Sequence, residues 1–273
     1  MSNKRKMKNE KRLKPALMLM VFIATAVIAS SSIKTTNQNK NLATNQNFII
    51  NSYNVILDVK EDNKVLVEED INVSFKEDGY HGITRDIKSW LEYTGKDNKT
   101  IKRKSAITEL SSSSTYISKV NKDAMVKIGD PNETLKANTP YTYKINYIYD
   151  MGKDPFSGFD EFIFHAYGDH WNTKINNASI TIKMPNNFDA NNIKFFADKY
   201  RKQDITDKID YTISNNTITA KVKKEEYTLY KSLTVDILLP ENYFIGGTNN
   251  YGIYSLLCII IILAVTIITY ILW

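Results

Sequence analysis

The sequence predicts an all-β domain built as a β-sandwich, carried by a chain with an apolar segment at each end. Three observations lead to this prediction. Apolar and polar side chains alternate with a period of two along most of the interior, turn-forming residues separate the alternating runs, and no long interior stretch has helical spacing. Many short strands joined by turns are typical of a sandwich in which each sheet buries one face.

The N-terminal segment, residues 1–32, is predicted to be a secretory signal peptide or signal anchor. Its first 14 residues carry seven basic side chains and one acidic side chain, Glu10. The apolar core that follows, residues 15–29, would extend about 22 Å as a helix, which is short of the roughly 30 Å hydrocarbon layer. This length favours a cleaved signal peptide. The uncharged run to Ile33 is just long enough to span, so an uncleaved anchor is the open alternative.

Charge elsewhere in the chain is balanced. The chain has 36 basic and 30 acidic residues, a net charge of +6, and the first 14 residues alone contribute +6. Nucleic-acid binding requires a concentrated basic surface, so we expect no nucleic-acid partner. Cys258 is the only cysteine and lies in the last apolar run, which excludes disulfides and thiol chemistry in the interior of the chain.

Residues 33–47 are polar, rich in Asn, Thr and Gln, and predicted to be a linker. The extracytoplasmic domain is predicted over residues 48–240, immunoglobulin-like in general architecture. A long strand pair opens it, in which Glu69 is the one charged residue on an otherwise apolar face. The stretch 93–123 is predicted to hold irregular strands and a mobile loop. Clear alternation returns in the following runs: 141–149, 162–166, 178–184, 209–213, 218–222 and 233–239.

A juxtamembrane segment, residues 241–250, leads to a predicted transmembrane helix at residues 251–273. This last run holds 23 residues without a charge, about 34 Å of helix. The basic leader is expected to stay in the cytoplasm, so the β-domain is exported. The predicted location is the cell membrane, with one span, or two if the leader is retained. The lipid bilayer is therefore one expected partner.

The stretch 78–90 is the densest in unusual side chains, and its candidate binding residues are His81, Arg85, Asp86 and Trp90. Glycines on either side of His81 predict a tight reversal before a strand at 83–87. On a strand, Arg85 and Asp86 point to opposite faces and need separate partners. We expect Arg85 to hold a carboxylate from a neighbouring strand in a two-pronged contact, and Trp90 to cap the core. A ligand or partner site here is the open alternative.

A second group near residues 160–170 combines acids with two of the three histidines. Its candidate binding residues are His165, Asp169, His170 and Trp171. Two histidines five residues apart without a helix do not form a zinc-binding pattern, so no metal or other cofactor is predicted. Trp171 is expected to anchor packing. Phosphate loops, nucleophile elbows and dinucleotide fingerprints are missing from the sequence, so no enzyme activity is predicted.

These motifs together resemble a bacterial family of predicted membrane proteins, the domain of unknown function 2207. The resemblance rests on HGITRDI at 81–87, YTYKINY at 141–147 and FIFHAYGDHW at 162–171, and it extends over residues 48–240. It implies an exported all-β domain followed by membrane segments, with no established reaction.

The leading hypothesis is a membrane-anchored binding or scaffolding module at the bacterial cell envelope, with another envelope protein as its partner. Two alternatives remain open. The first is a receptor for carbohydrate or peptide that uses the tyrosine-rich strand faces. The second is an envelope hydrolase that uses an Asp or Glu with a His near residues 160–170.

Overall fold

A computed structural model shows the architecture of most of the chain. It describes residues 47–95, 100–112, 119–120, 124–168, 171, 173–197, 203–223, 232–247 and 252–272. Within 119–120 the backbone alone is described, and within the helix 252–272 side chains are described at 259–269. The predicted signal segment and nearly all of the predicted linker lie outside these residues.

Strands are the main secondary structure of the described residues, which confirms the all-β prediction. Two short 3-10 turns, Ala190–Asn192 and Thr206–Lys208, precede β12 and β14, and the helix α1 is Gly252–Leu272. In chain order the strands are β1 (Phe48–Val59), β2 (Lys64–Phe75), β3 (Gly82–Ile87), β4 (Trp90–Thr94), β5 (Thr100–Lys104), β6 (Ala106–Ser112), β7 (Lys119–Val120), β8 (Ala124–Gly129), β9 (Pro140–Asp150), β10 (Asp160–Tyr167), β11 (Ala178–Lys183), β12 (Ile193–Ala197), β13 (Gln203–Asp204), β14 (Ile209–Ser214), β15 (Thr217–Val222) and β16 (Leu233–Leu239).

The largest sheet has seven strands in the order β14-β15-β11-β1-β2-β9-β6. Its central pair, β1 and β2, is antiparallel over nearly the full length of both strands, whereas β1 and β11 run parallel. The period of two in the sequence places one face of this pair in the core. Tyr53, Val55, Leu57 and Val59 of β1 are at most 2% exposed, and each fully buried apolar side chain of this size contributes about 1.5–3 kcal/mol.

The second layer is divided between two smaller sheets. One has four strands in the order β10-β16-β12-β13, and the other has three in the order β3-β8-β7. Aromatic pairs join the four-stranded sheet to the large one: Tyr149 meets Phe164 edge-on at 5.3 Å between ring centroids, and Tyr53 meets Tyr167 at 4.6 Å. Such pairs add about 0.5–1.5 kcal/mol to the burial of the rings. Buried residues of the large sheet and of both smaller sheets form one main core.

A third layer, absent from the sequence prediction, covers the outer face of the four-stranded sheet. Leu91 and Tyr93 of the β4–β5 hairpin pack on Ile163 of β10, with Phe156 at the margin. Strand β10 is consequently buried on both faces, Phe162 and Phe164 on one and Ile163 on the other.

The strands predicted across 93–123 are present where this stretch is described, as the end of β4 and all of β5 to β7, and the pairing of β6 with β9 is irregular between Thr108 and Ser111. Residues 96–99, 113–118 and 121–123 of this stretch lie outside the described residues. At the C-terminus, α1 has 21 residues. Judged over the described residues, no helix has both the length and the apolar character needed to cross a membrane.

Candidate functional site

Two facing glycines set the position of β3, the strand in the middle of the densest polar stretch. Gly82 lies directly opposite Gly129 of β8, with φ of 150° and 146° respectively. A Cβ on Gly82 would lie 1.9 Å from the carbonyl oxygen of Ile128, and one on Gly129 would lie 1.9 Å from that of His81. No side chain fits at either position, so the glycine pair is what lets the two strands approach here.

From this position, β3 directs Arg85 into the core, where it is 3% exposed. Its Nε donates to Oε2 of Glu69 at 2.7 Å and its Nη2 donates to Oε1 at 2.9 Å. This is the two-pronged contact expected from the sequence, and the carboxylate comes from β2 of the facing sheet. Glu69, the charged residue that broke the apolar pattern of β2, is therefore the partner of Arg85.

Two tyrosines complete the coordination of the Glu69 carboxylate. Tyr53 donates to Oε2 at 2.5 Å and Tyr147 donates to Oε1 at 2.7 Å. Burial raises the pKa of both tyrosines well above the ordinary value, and the negative charge of Glu69 adds to this rise. Burial disfavours the charged form of Arg85, but the adjacent Glu69 carboxylate holds the pKa of Arg85 above its ordinary range. Both tyrosines thus remain neutral donors and Arg85 remains charged.

We define the Glu69–Arg85 cluster as Glu69, Arg85, Tyr53 and Tyr147. All hydrogen-bond acceptor positions of its carboxylate are filled, and we call the cluster closed in this sense. A carboxylate has about four acceptor positions, and the two arginine and two tyrosine hydrogen bonds occupy them. The remaining Nη1 of Arg85 donates to the backbone oxygen of Asp86 at 2.5 Å. The cluster fastens the small sheet to the large one and has no acceptor position left for a ligand.

The other predicted site residues of this stretch do not converge with Arg85. Asp86 points to the opposite face, as expected, and its carboxylate lies 2.9 Å from Nζ of Lys88. His81 is exposed and its Nδ1 lies 2.7 Å from the carbonyl oxygen of Glu133. The expectation that Trp90 caps the core was wrong, because Trp90 is 45% exposed. The register of β4 turns its alternate residues inward and leaves Trp90 outside.

The second predicted group is likewise spread out. His165 lies on the outer face of β10, with Nδ1 2.7 Å from Oγ1 of Thr234. Trp171 is 6% exposed and packs edge-on against Tyr53 at 5.7 Å and Phe48 at 6.3 Å, which confirms its packing role. Asp169 and His170 lie outside the described residues. Within the described part of the chain, no group of three His, Cys, Asp or Glu side chains is arranged to hold a metal ion.

The sequence reasoning missed a second buried ionic contact, beneath the β4–β5 hairpin. Arg103 of β5 is 4% exposed; its Nε donates to the carbonyl oxygen of Met151 at 3.1 Å and its Nη1 donates to that of Glu161 at 3.3 Å. Oδ2 of Asp154 lies 3.7 Å from Nη1 of Arg103. Arg103 stands between two lysines in the sequence, so composition alone gave no sign that it turns inward.

Burial dominates the electrostatics of Asp154 and raises the pKa of its carboxyl group to about 6. Hydrogen bonds from the backbone N–H groups of Phe156 and Glu161, at 3.0 and 3.2 Å, and the charge of Arg103 act in the opposite direction without overcoming it.

The tyrosine-rich face of β9, on which the receptor alternative depended, is turned inward. Tyr143, Tyr147 and Tyr149 are 7% exposed or less, so this face was wrongly expected to be available for stacking on a ligand.

A shallow groove of about 290 Å³ does lie on the outer side of the glycine pair. His81, Thr84, Lys127 and Pro131 line it.

The fold and these clusters define a class of protein: an all-β domain whose buried charged groups join its layers. Within that class, the chain belongs to a family described as a predicted membrane protein, N-terminal domain (DUF2207), whose model matches residues 49–240. The family has no assigned molecular function. A search of curated proteins found no match.

Two solved structures show distant likeness to this chain. An M1 zinc metallopeptidase from Deinococcus radiodurans aligns with 11% identity and a TM-score of 0.37, over 70% of this chain and 42% of that chain. Native yeast LTA4 hydrolase aligns with 7% identity and a TM-score of 0.39, over 74% of this chain and 32% of that chain. This chain therefore spans less than half of either, and a likeness this weak assigns no activity to it.

Proposed function

We propose that this protein is a binding or scaffolding module of the bacterial cell envelope, anchored in the membrane by its C-terminal segment with its β-domain on the extracytoplasmic side. The family description supports the membrane association. The uncharged run at 251–273 and the basic leader support the anchor and its orientation. The expected partner of the domain is another envelope protein.

The single observation that carries the binding role is the polar network on the outer face of the seven-stranded sheet. The closed Glu69–Arg85 cluster takes no ligand and instead uses the most unusual side chains of the domain to hold two layers together. A layered domain fastened in this way presents a stable outer surface. The surface best suited to a partner is the outer face of the seven-stranded sheet.

This outer face carries ordered amide and hydroxyl groups. Nδ2 of Asn51 donates to Oδ1 of Asn72 and to Oγ of Ser74, both at 2.8 Å, and Nδ2 of Asn72 donates to Oγ1 of Thr142 at 2.7 Å. Polar groups already held in place lose little conformational entropy on binding. The network spans β1, β2 and β9, so it offers a partner a continuous polar surface.

Photo-crosslinking in intact cells tests the proposal. A crosslinking amino acid is placed at Asn146 or Thr219, both exposed on the outer face, with Glu77, exposed on the connection after β2, as the matched control. The expected result is a discrete protein adduct from the outer-face positions and none from the control. Absence of an adduct from both outer-face positions would reject the sheet as the partner surface.

A further inference from the structure

One end of the β-domain contains the last described residues before α1, and we call it the exit end. It consists of residues 60–63, 88–90, 103–105, 150–153 and 243–247. The backbone N–H of Ile245 donates to the carbonyl oxygen of Glu61 at 2.7 Å. A Cβ on Gly247 would lie 3.0 Å from the carbonyl oxygen of Gly152, so these two backbones touch.

The open end of the β4–β5 hairpin belongs to the same end of the domain. Arg103 reaches the carbonyl oxygen of Met151, and Ala106, just beyond the hairpin, pairs with Asp150. Trp90 lies opposite Lys104 in the register of β4 and β5, one step from the pair that contains Arg103. Trp90 therefore lies at the same end of the domain as the segment that leads to α1.

Chain length limits how far this end can lie from the helix. Gly247 precedes Gly252, the first residue of α1, by five residues, a distance of at most about 18 Å when fully extended. If α1 lies in the membrane, as the proposed function requires, Gly247 at the exit end lies within that distance of the point where the chain enters the bilayer.

The exposed apolar side chains of the domain concentrate at this end. Outside α1, four large apolar side chains are exposed among the described residues: Leu66 at 40%, Trp90 at 45%, Ile213 at 37% and Ile245 at 57%. The two most exposed, Ile245 and Trp90, both belong to the exit end. An indole ring is especially suited to the boundary between lipid headgroups and hydrocarbon, because it is apolar with one polar edge.

Charge does not select a particular lipid here. The exposed and half-buried charged side chains at or beside the exit end balance in sign: Lys60, Lys88, Lys104 and Lys153 against Glu61, Asp62, Asp150 and Glu241. Nζ of Lys102 lies 5.9 Å from the centre of the Trp90 ring and 3.4 Å from the Glu92 carboxylate. The balance of signs favours an apolar, interfacial contact over attraction to anionic lipids.

From these observations we infer that the exit end is a membrane-docking surface, with Trp90 and Ile245 seated in the headgroup layer of the bilayer that holds α1. The inference rests on the membrane anchor of the proposed function. Docking would hold the β-domain against the lipid surface and fix its orientation relative to the membrane.

Fluorescence quenching in proteoliposomes tests the docking. The full chain has three tryptophans, Trp90, Trp171 and Trp273. In a Trp273→Phe background, lipids carrying a nitroxide on the headgroup are compared with unlabelled phosphatidylcholine. The Trp90→Phe variant in the same background gives the contribution of Trp171, which is buried in the core. We expect at least a twofold loss of the Trp90 component with the labelled lipid.

Two further readouts make the result decisive. Flotation of the same samples shows whether the chain stays with the vesicles. If it does not, the anchor of the proposed function fails, and the docking surface with it; if it stays and Trp90 is unquenched, the docking inference alone is overturned. The quenching should be the same with and without phosphatidylglycerol, and quenching confined to anionic vesicles would overturn the apolar contact inferred here.

Discussion

Glu69 shows how one buried charge can be stable without being reactive. Removing a carboxylate from water is costly, and the cost is offset only when its acceptor positions are filled. Arg85, Tyr53 and Tyr147 fill them. The same arrangement makes the partners interdependent, because loss of the cation leaves a fully buried negative charge.

Replacement of Arg85 by Met should therefore destabilise the domain strongly. We expect a loss of about 3–5 kcal/mol in the free energy of unfolding, the range for breaking a buried ion pair by removing one partner. Urea unfolding of the full chain in detergent measures it. The matched control is the double variant Glu69→Leu with Arg85→Met, which removes both charges and should lose less. A single variant that loses under about 1 kcal/mol would contradict the structural role of the cluster.

The glycine pair between β3 and β8 gives a second prediction for single residues. Gly129→Ala places a methyl group 1.9 Å from a backbone carbonyl oxygen, so the strands must separate. We expect a loss of about 3 kcal/mol or more. Gly158→Ala is the control, because Gly158 also has positive φ, 89°, but open space around its Cβ position; about 1–2 kcal/mol is expected there. Equal losses in urea unfolding would show that close approach is not the cause.

The sequence predicted the surroundings of single residues correctly where the geometry of a strand showed that neighbouring side chains needed separate partners. A strand at 83–87 required Arg85 and Asp86 to have separate partners, and the structure provides them. It failed for Trp90, whose exposure depends on which face of a short hairpin meets the rest of the domain. Leu91 and Tyr93 pack against Ile163, and this contact determines which face of the hairpin is buried. Ile163 is about 70 residues away in the sequence, so the local alternation pattern of the hairpin cannot predict the contact.

Among the elements, the β4–β5 hairpin depends on a polar contact that responds to pH. Asp154, in the connection between β9 and β10, lies 3.7 Å from Arg103 of the hairpin. Because burial raises the pKa of Asp154 in the folded state to about 6, the folded state binds a proton at this site more tightly than the unfolded chain does. Proton binding at Asp154 therefore stabilises the folded state. This stabilisation is complete below the pKa that Asp154 has in the unfolded chain, and it is lost as the pH rises through about 6.

The Asp154→Asn variant should remove this dependence. Between pH 7 and pH 5 the wild-type domain should gain stability relative to the variant by about 1 kcal/mol, which is less than the full pKa shift would give because only part of the titration falls in this pH range. Urea unfolding at pH 5, 6 and 7 measures the difference. Parallel pH profiles for the two proteins, or a gain in the opposite direction, would refute the raised pKa.

Long elements were more predictable than short ones. The β1–β2 pair was evident because seven residues of β1, 53–59, and eleven of β2, 65–75, alternate in sequence without interruption, apart from Glu69. The strands β4 to β8 were obscured because they are short and because Arg103 occupies an inward position where the pattern calls for an apolar residue. The alternation of apolar and polar residues predicts which side chains are buried only when the buried side chains are apolar. A buried arginine is an exception that this pattern misses.

For the whole molecule, the all-β class followed from periodicity alone, but the layer structure did not. The division of the second layer and the added hairpin arise from contacts between distant strands, such as β10 with β16 and β1 with β11. The parallel contact of β1 with β11 joins residues more than 100 positions apart, which no local signal encodes. Topology is therefore the part that required the structure.

The side of the membrane on which the domain lies is the prediction that most affects the proposed function. The chain has one cysteine, Cys258, so a Cys258→Ser background can receive a single reporter thiol. Asn146→Cys on the outer sheet face should react with a membrane-impermeant maleimide in intact protoplasts, because the positive leader directs the domain outward. A matched cysteine at Lys8 in the leader should react only after lysis, unless the leader is removed and the label is lost altogether. If Asn146→Cys reacted only after lysis, the domain would face the cytoplasm, and an extracytoplasmic binding role would be untenable.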